Sequence, residues 1–120
     1  MTQGPIKYER LKSRKRIQFL FSDGKSVKAF PVLAVYSKSE AAGNILELGV
    51  SVSKRRFKRA VDRNRIKRQM REAFRQNRDL LPVENCQFSL MLIYLGKEMP
   101  EYALLDKKII SVLKRLASEA

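Results

Sequence analysis

The spacing of apolar and polar residues changes several times along the chain, and each change marks an element. In residues 14–22 (RKRIQFLFS) Ile17, Leu20 and Phe21 share one helical face, while Phe19 points elsewhere. Ser13 is placed to cap this short helix and Gly24 to stop it. Residues 27–37 (VKAFPVLAVYS) read as a strand, with Pro31 suited to an edge or a strand start. The segment SKSEAAGN turns the chain. Residues 45–52 then alternate, with Leu46, Leu48, Val50 and Val52 on one side and Glu47, Gly49 and Ser51 on the other. That predicts a half-buried strand in a hairpin with its predecessor.

A helical period returns within residues 54–78 (KRRFKRAVDRNRIKRQMREAFRQNR), where Ile66, Met70, Ala73 and Phe74 form a buried stripe. This helix ends before Pro82. Residues 88–95 (FSLMLIYL) are almost continuously apolar, as in a central strand, and Pro100 opens a last helix to about Leu116. Leu105, Ile109, Val112, Leu113 and Leu116 give that helix its 3-4 register. Residues 1–12 (MTQGPIKYERLK) have no such period and read as a flexible basic arm, with Gly4-Pro5 blocking early helix. Helix, strand pair, helix, strand, helix predicts a small two-layer α/β sandwich with one sheet face covered and the other left open. A length of 120 residues makes residues 1–120 a single domain with a real core.

Charge changes this picture most in the central helix. The 25 residues of 54–78 hold 12 Lys or Arg against Asp62 and Glu72, a net +10 of the chain's +14. Asn64, Arg68, Arg71 and Arg75 lie opposite the apolar stripe, flanked by Arg65 and Lys67. Each i,i+4 like-charge pair costs a few tenths of a kcal/mol, and a polyanion lying along the ridge turns that cost into binding. Solvated helix faces usually mix signs; this one predicts a nucleic-acid-binding helix. Asp62 is in reach of Lys58, Arg59 or Arg65, and Glu72 of Arg68, Arg75 or Gln76, as internal counter-charges.

Catalytic equipment is missing from the residue list. There is no histidine, which removes the commonest general base and metal ligand together. The single Cys86 cannot form an intramolecular disulfide and reads as small buried filler beside a strand. Gly43, Gly49 and Gly96 are isolated, so no phosphate loop forms, and the acids are scattered, so no two-metal site can be built. No catalytic residue and no metal ligand is expected. Residues 1–16 carry six basic residues and no apolar run, which predicts a cytoplasmic protein with no membrane partner.

Residues 49–54 (GVSVSK), leading into 60–68 (AVDRNRIKR) and then 71–75 (REAFR), resemble the protein subunit of bacterial ribonuclease P, whose signature core is Arg-Asn-Arg. Weaker similarity covers the first helix, residues 11–26, and the last strand and helix, so the resemblance spans nearly the whole chain. It implies an α+β fold of αβββαβα order, ribosomal-protein-S5-domain-2-like, whose basic helix makes a left-handed crossover. It implies as partners a large catalytic RNA and precursor tRNA, whose 5′ leader that RNA removes with magnesium ions; the protein itself holds no cofactor. The catalytic RNA would lie on Arg59, Arg63, Asn64, Arg65, Lys67, Arg68 and Arg71. The leader would lie between the first helix and the open sheet face, on Ile17 and Phe21, Val35 or Tyr36, and Lys54 with Arg55. Ile17 stands where the family usually has an aromatic residue, and the family's basic residue after the last strand is replaced by Tyr94-Leu95-Gly96-Lys97. The alternative is a ribosomal or general RNA-binding protein with no associated enzyme. A DNA-binding regulator would need a helix-turn-helix or dimer frame, which the chain lacks, so no DNA partner is expected.

Overall fold

Local rules set the first helix. The Ser13 hydroxyl accepts from the Arg16 N–H at 3.4 Å and opens α1 (Arg14–Asp23). The Gly24 N–H donates to the Leu20 carbonyl at 3.0 Å, closing the helix. Backbone at Gly24 is ordinary extended chain, but a Cβ there would stand 2.4 Å from the Leu20 oxygen. Glycine is required for this close approach, not for an unusual turn. The computed structural model describes residues 7–39, 44–81 and 86–119. The expectations for Gly4-Pro5, for the middle of the 37–44 turn and for Pro82 lie outside the described residues.

Five strands form one sheet: β1 (Lys7–Arg10), β2 (Lys25–Ala29), β3 (Val32–Ser39), β4 (Asn44–Val52) and β5 (Cys86–Tyr94), in the order β1-β4-β5-β3-β2. The described elements follow the implied αβββαβα order behind one added strand. Residues 7–10, expected in the arm, pair in parallel with β4, and the Leu11 N–H extends the ladder to the Leu48 carbonyl at 2.9 Å. The single strand expected over 27–37 is a hairpin of β2 and β3, broken at Phe30-Pro31. The expected hairpin of residues 45–52 with the preceding strand does not form. Instead β5 inserts between them, antiparallel to β3 and parallel to β4. β5 carries Cys86, Phe88, Leu90, Leu92 and Tyr94 on the core face and Met91 and Ile93 on the other, and it takes the centre of the sheet.

The helix α2 (Ala60–Asn77) connects β4 to β5 and is followed by a 3₁₀ turn at Arg78–Leu80. It starts six residues into the basic stretch; residues 54–59 are loop. α3 (Tyr102–Glu119) ends the described chain. The stripe Ile66, Met70, Ala73 and Phe74 is buried as its spacing predicts, together with Leu105, Ile109, Val112, Leu113 and Leu116 of α3. Both helices pack on the sheet face that carries Val32, Ala34, Tyr36, Leu46, Phe88, Leu90 and Leu92. Cys86 is buried there too, as small filler at the start of β5. α1 lies on the other face. Its Leu20 joins Leu11, Val35 and Met91 in a second, smaller cluster, so the face expected to be open is covered only at its centre.

Candidate functional site

The cation ridge on α2 lies where the helical wheel predicts, but it lacks Arg63, which the family resemblance adds to it. Arg59, Asn64, Arg65, Arg68, Arg71 and Arg75 are exposed, and Lys67 is half-buried. Arg63 is turned inward. Its guanidinium donates to the Phe57 and Lys58 carbonyls at 2.7 and 2.9 Å, so it braces the loop before the helix. Asp62 makes no ion pair among the described residues; it sits in the first turn of α2, where the helix dipole favours an acid. Glu72 does act as a counter-charge, accepting from Arg75 at 2.6 and 3.0 Å and from Gln76 at 2.8 Å.

Those hydrogen bonds, Arg75 first and Gln76 second, hold the Glu72 carboxyl at about 2 against an ordinary 4.5. Because the folded value is the depressed one, the pairing persists through the normal carboxylate range and is lost only as pH falls toward 2. A carbon-detected NMR titration should place the Glu72 midpoint near 2. In Arg75→Ala the midpoint should move up; an unmoved midpoint would show that Arg75 is not its partner.

The loop before α2 is built by Ser53. Its hydroxyl accepts from the Arg55 and Arg56 N–H groups at 3.2 and 3.4 Å, and its carbonyl accepts from the Phe57 N–H at 3.1 Å. This is N-cap bonding, as at Ser13, but it holds only a single turn, and α2 begins further on, at Ala60. Phe57 plugs the loop into the core against Tyr94, ring centroids 5.9 Å apart, leaving Lys54 and Arg55 exposed just past the end of β4. Arg56 donates to the Leu95 carbonyl and ties the loop to the end of β5.

Strand register orders the face under α1 into rows across β3, β5 and β4: Ser39, Gln87 and Ile45; then Ser37, Ser89 and Glu47; then Val35, Met91 and Gly49; then Leu33, Ile93 and Ser51. Lys54 and Arg55 lie beyond the last of these. Val35 therefore belongs to the α1 face. Tyr36 does not: it is buried on the opposite face, stacked on Phe88 at 5.7 Å, because consecutive strand residues alternate sides. Tyr36 is thus corrected from cleft residue to core residue.

α1 divides this face. With Leu20 pointing down, Ile17 and Phe21 stand on one side of the helix, and Arg16 and Phe19 on the other. Ile17 packs around the small cluster along with Leu33 and Ile93, while Phe21 is 57% exposed. On the far side a cleft of about 470 Å³ is lined by Arg16, Phe19, Ser37, Lys38, Gln87 and Ser89. Phe19, which the helical period directs away from the apolar face, is 50% exposed at its rim. Glu47 ties three of these lining residues together. It is only 8% exposed and accepts from Arg16, from Ser89 at 3.1 Å and from Gln87 at 3.3 Å, pinning α1 to the sheet. Nothing in the local sequence marks this interaction, since Arg16 and Glu47 meet only through the fold.

The arrangement offers two anion-facing surfaces, the α2 ridge and the loop at Lys54 and Arg55, with exposed aromatic rings on α1 between strand rows. Among the described residues no group of three or more Cys, Asp or Glu is placed to hold a metal ion, and no helix is long and apolar enough to cross a membrane.

Comparison with known proteins agrees with this geometry. The ribonuclease P family profile matches residues 6–117. A ribonuclease P protein component of Porphyromonas gingivalis is 35% identical over 97% of this chain and 88% of its own length. That of Thermotoga maritima is 31% identical over 97% and 98% respectively. The solved structure of the T. maritima ribonuclease P protein superposes with a TM-score of 0.74, covering 88% of this chain and 96% of that one at 27% identity.

Proposed function

The chain belongs to the ribonuclease P protein family, and from that membership we propose how its two surfaces divide the work of the ribonucleoprotein. As a component of ribonuclease P it partners the enzyme's RNA. The RNA lies along α2, on Arg59, Asn64, Arg65, Lys67, Arg68 and Arg71. The 5′ leader of precursor tRNA crosses the α1 face, with Phe21 as stacking platform, Ile17 and Val35 beside it, and Lys54 and Arg55 holding its backbone. Aromatic stacking with nearby cations accepts any base sequence, as a leader shared by many tRNA precursors requires. Cutting is done by the RNA with magnesium ions, in the cytoplasm, and the protein supplies affinity and positioning.

The observation that carries this reading is the cation ridge of α2. Among the described residues only Arg75 of that ridge has an acid at ion-pair distance, Glu72; Arg59, Arg65, Lys67, Arg68 and Arg71 have none, and the stripe Ile66, Met70, Ala73 and Phe74 is spent on the core. A polyanion lying along the ridge satisfies these unpaired cations together. In magnesium buffer the purified protein alone should leave precursor tRNA uncut, and at low salt it should raise the cleavage efficiency of the cognate catalytic RNA. Robust processing by RNA-free protein, abolished by mutating one acid, would sink the proposal.

A further inference from the structure

A pocket of about 200 Å³ lies between β1 and the C-terminal half of α2, away from the α1 face. Tyr8 and Arg10 enter it from β1, and Arg71, Arg75 and Arg78 from α2 and the turn that follows. Four arginines therefore line one concavity. Arg75 is engaged by Glu72, but the only ion pairs among the described residues are Glu72 with Arg75 and Arg16 with Glu47. Among the described residues Arg10, Arg71 and Arg78 thus have no carboxylate at ion-pair distance, and Glu9, which also lines the pocket, pairs with none of them. Arg78 is not loose: its guanidinium lies over the Tyr8 ring, 4.3 Å from the centroid. Partial burial, and then the adjacent Arg10 charge, lower the pKa of Arg71. Burial likewise raises that of Tyr8, with the Arg78 charge opposing and the nearby Asp79 carboxylate adding to the rise.

Like charges gathered in a concave, partly dry site cost stability until an anion arrives. The volume is below the roughly 300–1,000 Å³ of pockets that enclose whole small molecules, and suits one phosphodiester group held by forked donors. We propose that this pocket is a phosphate site for an RNA backbone, extending the α2 ridge onto β1 and making the N-terminal strand part of the RNA-binding surface. The inference rests on α2 being the RNA-facing helix; what it adds is Tyr8, Arg10 and Arg78.

The test is binding of the full-length protein to the cognate catalytic RNA across a salt series, for the wild type, Arg10→Gln, the Arg10→Gln/Arg78→Gln pair, and Arg65→Ala. Arg10→Gln should weaken binding about ten-fold and the pair about a hundred-fold, as charge-assisted hydrogen bonds to phosphate are removed. The salt slope should become shallower by about one for each phosphate no longer neutralised. Arg78 also anchors Tyr8, so circular dichroism melts accompany the series; if the pair is poorly folded, Arg10→Gln decides alone, since Arg10 is exposed and unpaired. Unchanged affinity and slope in the pocket variants, with Arg65→Ala weakened, would overturn the pocket and leave the α2 assignment standing. A wild type that does not bind the catalytic RNA would overturn both. Melts in pyrophosphate at constant ionic strength separate the remaining source: stabilisation abolished by the variants, with RNA affinity unchanged, would mean a free-anion site and defeat the RNA assignment.

Discussion

Reversing the charge of Arg68 and Arg71 together, to Glu, should lower affinity for the catalytic RNA by about 10²–10⁴-fold at low salt. That range corresponds to about 1.5–3 kcal/mol for each charge-assisted hydrogen bond removed, at 1.4 kcal/mol per factor of ten. Both side chains are exposed and neither is paired with an acid among the described residues, so the fold should be retained and thermal unfolding nearly unchanged. The wild type should lose affinity by orders of magnitude over a few-fold rise in salt, because each neutralised phosphate releases condensed counterions. The double variant should show a visibly flatter dependence. Equal slopes for the two proteins would mean that the ridge is solvated and that the RNA lies elsewhere.

Phe21→Ala should have the largest effect on the other surface. Precursor and mature tRNA differ by the leader, so an interaction with the leader appears as a difference between their affinities. A base stacked on an aromatic ring is worth about 1–3 kcal/mol, which predicts precursor binding about 5- to 150-fold weaker with mature tRNA nearly unaffected. At 57% exposure Phe21 contributes little to the core, so the variant should melt close to the wild type. Leu20→Ala, one residue away and buried, should instead destabilise by about 2–5 kcal/mol. Arg65→Ala should show the reverse binding pattern, with weaker assembly on the catalytic RNA and an unaltered precursor-to-mature ratio once assembled. Equal weakening of both tRNA forms by Phe21→Ala in a well-folded protein would remove the leader from this side of α1.

Phe19 supplies a comparison within the same helix. It is exposed to a similar degree but stands on the far side of Leu20, over the row of Ser37, Ser89 and Glu47, while Lys54 and Arg55 lie at the opposite end of the strands. The two phenylalanines therefore report on different grooves. The helical period shows that they diverge; deciding which of them shares an end of the sheet with the cations takes strand order.

Short-range features were legible in the sequence because their physics is short-range. The 3-4 spacing of Ile66, Met70, Ala73 and Phe74 required a helix buried on that stripe, and the Ser13 cap needed only its own turn. The strongly basic outer face and the missing histidine follow from the residues themselves, and they pointed to a nucleic-acid partner before any fold was known. Alternation along residues 45–52 likewise marked which side chains share a face, but it carries no information about the neighbouring strand. Only the tertiary structure set β5 between β3 and β4, drew residues 7–10 into the sheet, put Tyr36 on the core side and brought Arg16 to Glu47. Those outcomes depend on pairing segments up to about 60 residues apart, as Val32 with Tyr94. No local preference encodes such pairings, and the most apolar strand wins the centre because a neighbour on each edge and the helices on the core face take most of its apolar side chains out of water.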